Sequence, residues 1–289
     1  MSSRSAGDGS RRDFLRTSGA VIAGLAVAGR SAEGGQAAAG QAAAPAATTS
    51  TITNKLKLKL MKGQQVLGGT VDMRDPAVAR AMAGAGWDFL WIEMQHARLT
   101  WETAEDIVGA MAGTDCVPII RVPDATESDI QKALDLGAQG VIIPMVEEAE
   151  EVQRAIRFGK FPPMGKRSGG GGPSGQVVND NLLTIVQIES PTAVKNLDSI
   201  LAVKGIDVIF AASGDLANSS VSKQGEPVFE GLVTTIHDKC VKAGIWLGGP
   251  ATWTNRRDFV FFQCDPDRML LAQASRTAIE TARKNSYMK

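Results

Sequence analysis

The 289-residue chain has only three cysteines and two histidines, and these small numbers exclude several classes of protein. Cys116, Cys240 and Cys264 lack the CxxC spacing of a zinc site and are too few for a disulfide framework. His96 and His237 alone cannot form a multi-histidine metal centre. With five tryptophans, one tyrosine and nine phenylalanines, the chain also has too few aromatic rings for a platform that stacks single-stranded nucleic acid.

The chain also lacks a net charge, because 31 basic and 31 acidic side chains balance. We therefore expect no nucleic-acid partner, since nucleic-acid-binding domains normally carry a basic excess. Hydrophobic residues make up 44% and charged residues 21% of the chain, which is typical of a folded globular protein. No predicted strand is followed by GxGxxG, and GxxxxGK[ST] does not occur, so the signatures of nucleotide-binding folds are missing.

The first 32 residues have the layout of an export signal. Arg11 and Arg12 precede Asp-Phe-Leu-Arg and an apolar run of small residues over 17–29. This run is too short to cross a bilayer core of about 30 Å. The arginine pair resembles a twin-arginine signal, an address read by an export receptor, although a chance pair is the alternative interpretation. We predict a periplasmic protein without a membrane segment in its mature form.

The sequence then divides into a linker and one domain. Residues 33–53 are mostly Ala, Gly, Gln, Ser and Thr, which bury too little apolar surface to offset the entropy of ordering, so we predict a disordered linker. Residues 54–289 are close to the ~250 residues of a single (β/α)₈ barrel.

Within 54–289, short apolar runs alternate with amphipathic segments. The predicted strands are Val66–Val71, Phe89–Glu93, Val117–Val122, Gly140–Val146, Leu183–Glu189, Asp207–Ala212, Ile245–Gly249 and Met269–Ala272. The predicted helices are Pro76–Ala85, Trp101–Ala112, Glu127–Leu136, Glu147–Phe158, Ala193–Val203, Pro227–Ala243, Trp253–Phe262 and a last one from Arg276. Continuous apolar strands are typical of a parallel sheet covered on both faces. Eight such units predict an α/β fold, a single-domain TIM barrel.

Polar residues occur at four of the predicted strand ends, where TIM barrels place their chemistry. His96 follows the second strand, Arg121 ends the third, Gln187 and Glu189 end the fifth, and Asp215 follows the sixth. Each has a structural alternative, such as a cap or an ion pair. Their convergence nevertheless predicts a site at the mouth of the barrel.

Two carboxylates, Glu189 and Asp215, with no softer ligand nearby suit a hard divalent cation such as Mg²⁺ or Mn²⁺. The open coordination positions would take water and a chelating 2-oxo acid, whose carbonyl would be polarised. Arg121 would then stabilise an enolate, and His96 would act as general base. Because no lysine lies at a predicted strand end, an aldolase that works through a covalent lysine is disfavoured.

These residues resemble the HpcH/HpaI aldolase family, metal-dependent class II pyruvate aldolases on a (β/α)₈ barrel. The resemblance covers roughly 56–275. It rests on Gly68-Gly69-Thr70, Trp87–His96, Arg121, Gly137–Gly140 with Ile143–Val146, Phe161–Gly165, Gln187–Glu189, and Gly205–Asp207 leading to Asp215-Leu216.

The resemblance implies a function and three catalytic roles. The reaction would be reversible cleavage of a 4-hydroxy-2-oxo acid to pyruvate and an aldehyde. His96 matches the family's catalytic base, Arg121 its transition-state-stabilising arginine, and Asp135 the acidic residue that raises the basicity of that base.

It also implies the binding residues and the assembly. Gln187 matches a pyruvate-contacting glutamine, and the backbone amide of Gly214 would contact the substrate carboxylate. Glu189 and Asp215 match the ligands of Mg²⁺, Mn²⁺ or Co²⁺. The family further implies a homo-oligomer, a trimer or hexamer, whose last helix packs on a neighbouring subunit.

The chain departs from the family pattern in three places. The usual Asp-Gly-Glu-His is replaced by Glu93-Met94-Gln95-His96, and the Gly-rich loop 168–175 reaches the fifth strand after fewer residues than usual. An export signal is also unusual for this family.

These departures leave other functions open. One is decarboxylation of an oxaloacetate-like acid. Another is a citryl- or malyl-CoA-type lyase, which is weaker because Lys160, Lys166 and Arg167 are the only basic cluster near the mouth. A third is a periplasmic 2-oxo-acid-binding protein. The presence of both His96 and Arg121 argues against it, since binding needs only contacts with a metal and with the substrate carboxylate.

Overall fold

The computed structural model describes residues 52–169, 174–285 and 287. In this part of the chain, eight parallel strands pair in chain order and the last closes onto the first, which confirms the single-domain TIM barrel. The predicted signal peptide and nearly all of the predicted linker lie outside the described residues. The strands are β1 Val66–Val71, β2 Phe89–Glu93, β3 Val117–Arg121, β4 Gly140–Ile143, β5 Leu183–Ile188, β6 Val208–Ala211, β7 Trp246–Pro250 and β8 Phe259–Pro266.

Helices cover the outside of the barrel. They are α1 Lys55–Met61, α2 Pro76–Gly84, α3 Trp101–Ala110, α4 Glu127–Asp135, α5 Ala149–Gly159, α6 Gln176–Asn181, α7 Pro191–Lys195, α8 Leu197–Leu201, α9 Ser213–Ser219, α10 Pro227–Ala243 and α11 Asp267–Lys284. The predicted helix Ala193–Val203 is thus two short helices that meet at Asn196. No helix in the described ranges is long and apolar enough to cross a bilayer.

The last strand and the helix before it were predicted wrongly. Residues 259–262 belong to β8 and not to a helix, and Met269–Ala272 lies inside α11 and not in a strand. The residue types explain this outcome. The run Phe259–Phe262 is aromatic and β-branched, which favours a strand, whereas Met, Leu and Ala are strong helix formers. The last helix therefore begins at Asp267, well before Arg276.

The barrel interior is filled by aromatic rings from three strands. Phe89 stacks on Phe261 with ring centroids 4.4 Å apart, and Phe210 meets Phe261 edge-on at 6.3 Å. Gly68 on β1 makes room for them, because a Cβ there would lie 2.0 Å from the Phe89 ring. A second apolar layer lies between the strands and the helices.

Helix α1 closes the N-terminal end of the barrel. Leu56 and Leu60 are each 1% exposed and pack on the interior cluster. Lys55, Lys57 and Lys59 form ion pairs with Asp115, Asp207 and Asp88, three aspartates that stand just before β3, β6 and β2. The opposite end of the barrel, where the strands end, is thereby left as the mouth.

Candidate active site

An ion pair between neighbouring strands lies at the centre of this mouth. Glu93 and Arg121 end β2 and β3 and face each other in the strand register. Arg121 donates from Nε to Glu93 Oε2 over 2.6 Å, and its Nη2 lies 2.5 Å from the same oxygen. Both side chains are buried, so the pair fixes the guanidinium plane.

The Glu93 carboxylate also shapes the turn that carries His96. Its Oε1 accepts the backbone N–H groups of Gln95 (2.8 Å) and His96 (2.9 Å), and the Trp91 indole donates to Oε2 over 3.1 Å. Glu93 stands at the first position of the segment that resembles the family's Asp-Gly-Glu-His. That position therefore still holds a carboxylate, and this carboxylate accepts hydrogen bonds from the turn. His96 itself is exposed, with its side chain on the cavity described below.

Gln187 hydrogen-bonds to Arg121 and lies two residues before Glu189, another of the predicted site residues. Its Oε1 accepts from Arg121 Nη1 over 3.4 Å, and both groups are buried. Gln187 lies on β5, and Glu189 follows the last residue of that strand, Ile188. The structure thus places Arg121 and Gln187 in contact at the mouth of the barrel.

Glu189 and Asp215 line a common cavity of about 440 Å³. Glu189 is 5% exposed, and its Oε1 has no hydrogen-bond partner among the described residues. Burial, followed by the negative charge of Asp215, raises the pKa of Glu189 to about 7, while Arg121 and the backbone N–H of Met145 act against the rise. Asp215 is exposed in the first turn of α9, directly after Gly214.

This carboxylate pair fits a divalent cation. A buried oxygen without a partner beside a second carboxylate is costly, and a cation between them would relieve both the desolvation and the repulsion. Oxygen donors alone suit Mg²⁺ or Mn²⁺. The described ranges contain no group of three or more His, Cys, Asp or Glu side chains able to hold a metal. A cation here would therefore take its remaining ligands from water or substrate.

A second cavity, which we call the arginine cavity, borders His96 and Arg121. It has a volume of about 690 Å³. Its charged lining residues are Asp72, Arg74, Glu93, His96, Arg98, Arg121 and Arg268. The sequence reasoning missed Asp72, Arg74, Arg98 and Arg268. Asp72 was detectable, since it directly follows β1, but Arg268 was hidden by the misplaced last strand.

Asp72 is tied to the start of α11. It pairs with Arg268 Nε over 2.7 Å and shares a hydrogen bond with buried Asp267. Burial and then the contact with Asp267 raise the pKa of Asp72 to about 6. Asp267 also accepts the backbone N–H groups of Asp72, Met73 and Arg268. The ends of β1 and β8 are thereby held together.

Asp135 is not brought to His96 within this chain. It ends α4, which leads into the N-terminal end of β4, whereas His96 follows the C-terminal end of β2. Asp135 pairs with Arg167 over 2.7 Å and lines a separate cavity of about 660 Å³. Its role towards His96 stays a prediction that the contacts of a single chain do not supply.

The basic residues near the Gly-rich loop are engaged in protein contacts. Lys160 is buried and donates to the Asn179 carbonyl over 2.6 Å, and Lys166 pairs with Glu127. With Arg167 held by Asp135, little positive charge remains there for a coenzyme A substrate. Residues 170–173 of the loop lie outside the described residues.

Comparisons with known proteins agree on one family. The family model described as HpcH/HpaI aldolase/citrate lyase matches residues 71–276. The 2-keto-3-deoxy-L-rhamnonate aldolase of Escherichia coli is 33% identical over 197 residues, covering 64% of this chain and 74% of that protein. The hydroxypyruvate/pyruvate aldolase of Paraburkholderia phytofirmans is 29% identical over 258 residues, covering 81% and 99%. A solved HpcH/HpaI family structure from Burkholderia cenocepacia superimposes with a TM-score of 0.73 at 26% identity, covering 80% of this chain and 100% of the other.

Proposed function

The chain belongs to the HpcH/HpaI aldolase/citrate lyase family, a family of aldolase-type lyases, and from this premise we propose that it reversibly cleaves a 4-hydroxy-2-oxo acid to pyruvate and an aldehyde with the help of a divalent cation. The observation that carries the proposal is the buried Oε1 of Glu189, which has no hydrogen-bond partner among the described residues and lies beside Asp215, directly after β5, the strand whose Gln187 contacts Arg121. These are the groups that an enolate-forming reaction requires.

Glu189 and Asp215 would hold Mg²⁺, Mn²⁺ or Co²⁺, which would polarise the keto oxygen of a chelating 2-oxo acid. Arg121, whose Nε donates to Glu93, would stabilise the negative charge that develops on the enolate oxygen. The Gly214 backbone amide would contact the substrate carboxylate. Because Glu93 and Gln187 hold Arg121 before the substrate arrives, no reorganisation is needed during the reaction.

His96 supplies the proton transfers. In the cleavage direction it takes the proton of the 4-hydroxyl group, the C3–C4 bond breaks, the aldehyde leaves, and C3 of the enolate then receives a proton to give pyruvate. In the reverse direction the same base removes a proton from the pyruvate methyl group. The exposed position of His96 on the arginine cavity leaves its ring accessible to the substrate.

The proposal is tested by hydrogen–deuterium exchange at the pyruvate methyl group in D₂O, followed by NMR. We expect exchange with Mg²⁺, Mn²⁺ or Co²⁺, and its loss with EDTA, because enolate formation needs no aldehyde. Release of pyruvate from 4-hydroxy-2-oxo acids should show the same metal dependence. A protein that only binds 2-oxo acids would show neither reaction, and that result would overturn the proposal.

We also propose that the mature protein is a homo-oligomer, a trimer or hexamer. Met269, Leu271 and Ile279 on α11 are each about half exposed in the single chain, which leaves apolar surface that a neighbouring subunit would cover. The family resemblance adds that the last helix packs on a neighbour. Analytical ultracentrifugation tests this, and a monomer at micromolar concentration would contradict it.

Export to the periplasm is a further proposal. It is supported by Arg11 and Arg12 ahead of the apolar run over 17–29. Its test is argued in the Discussion.

A further inference from the structure

We infer that the aldehyde half of the substrate carries an anionic group, a carboxylate, phosphate or sulfonate, that binds the guanidinium groups of Arg74 and Arg98 in the arginine cavity. The inference rests on the proposed aldol reaction, because it assigns the part of the substrate that the pyruvate site leaves undefined.

The charges of the arginine cavity do not balance. Four arginines line it but only two acidic side chains do. Glu93 is taken by Arg121, and Asp72 is taken by Arg268. Asp267, the carboxylate behind Asp72, is buried and occupied by backbone N–H groups. Among the described residues that line the cavity, no carboxylate therefore remains for the other two arginines.

Arg74 and Arg98 are the two unbalanced charges. Arg74 donates from Nε to the Arg98 carbonyl over 2.9 Å, and its terminal nitrogens pair with no carboxylate in the described part of the chain. The Arg98 side chain has no hydrogen bond or ion pair with any described residue. Both residues follow the strand ends that carry Asp72 and His96, so their position next to the reacting groups is set by the barrel.

The position of the cavity matches the far end of the substrate. The pyruvate half would lie against Glu189 and Asp215, with Arg121 between them and His96. Carbon 4 and everything beyond it would then extend towards His96 and the arginine cavity. A volume of about 690 Å³ is ample for a short aldehyde with a charged group at its end.

The chemistry of the cavity favours an anion over a neutral sugar-like aldehyde. Guanidinium groups present planar pairs of N–H donors that match the oxygens of carboxylates and phosphates. Like charges gathered in a concave site also focus a positive potential and raise the local concentration of anions. A neutral aldehyde would gain from neither effect.

The experiment compares matched aldehydes in the aldol direction with pyruvate. Succinic semialdehyde, glyceraldehyde 3-phosphate and sulfoacetaldehyde carry the three candidate groups, and butanal, glyceraldehyde and acetaldehyde are their neutral counterparts. We expect kcat/KM to favour the anionic partner by about 100-fold, because each of the two arginines would add roughly one charge-assisted interaction worth about tenfold. The pair with the largest ratio identifies which anionic group the cavity takes.

Three variants locate the effect. Arg74→Gln and Arg98→Gln should each lower the anionic-to-neutral ratio about tenfold, chiefly through KM, and the double variant should abolish the preference. Arg154→Gln is the control, since it removes an exposed arginine on α5, outside the cavity, and its ratio should equal that of the unmodified protein. The preference should also weaken as ionic strength rises.

The pyruvate exchange reaction separates the two ways in which the inference can fail. If exchange occurs but neutral and anionic aldehydes react equally well, or if the double variant keeps the preference, the anion inference is overturned and the proposed aldolase stands. If exchange does not occur with any of the three metals, the proposed function fails and the inference fails with it. Exchange in the double variant also verifies that it folds.

Discussion

The Glu93 carboxylate binds the guanidinium of Arg121 through one oxygen and the turn of His96 through the other. Oε2 accepts from Arg121 Nε at 2.6 Å, and Oε1 accepts from the backbone N–H of His96 at 2.9 Å. One buried side chain therefore sets the position of both the proposed oxyanion stabiliser and the proposed base. Neither could move without disturbing the other.

Replacing Glu93 should damage stability as well as activity. Glu93→Ala leaves Arg121 buried without its partner, and breaking such a pair costs about 3–5 kcal/mol. Urea denaturation should show this loss, whereas Glu105→Ala, which removes an exposed carboxylate on α3, should change the free energy of unfolding by less than about 0.5 kcal/mol. Equal stabilities for the two variants would show that the buried pair contributes nothing.

His96→Ala should lower kcat by about 10²- to 10⁴-fold, the usual contribution of a positioned general base. The side chain is exposed and forms no hydrogen bond or ion pair within the described part of the chain, so the variant should fold normally. Pyruvate should still bind the metal-loaded enzyme, which calorimetry measures. A variant with unchanged exchange of pyruvate methyl protons would remove His96 from the mechanism. His237→Ala, at a surface site, is the matched control.

Glu189→Gln and Asp215→Asn should each abolish tight binding of Mn²⁺. Removing one carboxylate leaves a single charged protein ligand, too few for a hard divalent cation. Calorimetric titration with Mn²⁺ measures this, and the rise in Tm that Mn²⁺ gives should disappear with it. Glu147→Gln is the control, since Glu147 lines the same cavity but hydrogen-bonds to Ser190. Retention of metal-dependent activity in both ligand variants would disprove the site.

The sequence predicted which polar side chains lie at the mouth because the topology of the barrel brings the strand ends together, and their roles stay predictions. Val117–Arg121 and Leu183–Ile188 are apolar runs, so the polar residues that end or follow them stand out. Glu189 and Arg121 were found in this way.

Other features depend on contacts between distant segments. The arginine cavity is lined by residues that follow β1 and β2 and by Arg268 of α11. No local sequence pattern predicts that these distant segments lie together. Helix α1 was missed because its sequence KLKLKLM alternates with period two, as an amphipathic strand does. Tertiary packing of Leu56 and Leu60 on the barrel overrides that pattern. Asp135 shows a different limit of the sequence analysis. The resemblance to the family implies that it raises the basicity of His96, but within a single chain Asp135 does not lie near His96.

Replacing both arginines of the proposed signal should block export. Arg11→Lys with Arg12→Lys keeps the charge but removes the pair that the export receptor reads. We expect the precursor to stay in the cytoplasm with active enzyme, as measured by fractionation and pyruvate exchange. Arg16→Lys lies outside the pair and serves as the control. Normal export of the doubly substituted protein would refute the twin-arginine route without affecting the barrel chemistry.

Helix α1 should contribute strongly to stability although it lies far from the mouth. Leu60→Ala opens a cavity among the rings at the N-terminal end of the barrel and should lower the free energy of unfolding by about 2–5 kcal/mol. Met61→Ala is the matched control, because Met61 is 59% exposed, and its effect should stay below about 0.5 kcal/mol. Urea denaturation measures both variants. Since the proposed active site lies at the other end of the strands, kcat of the folded Leu60→Ala enzyme should match that of the unmodified protein. A small stability loss together with a large fall in kcat would show instead that α1 acts on the active site.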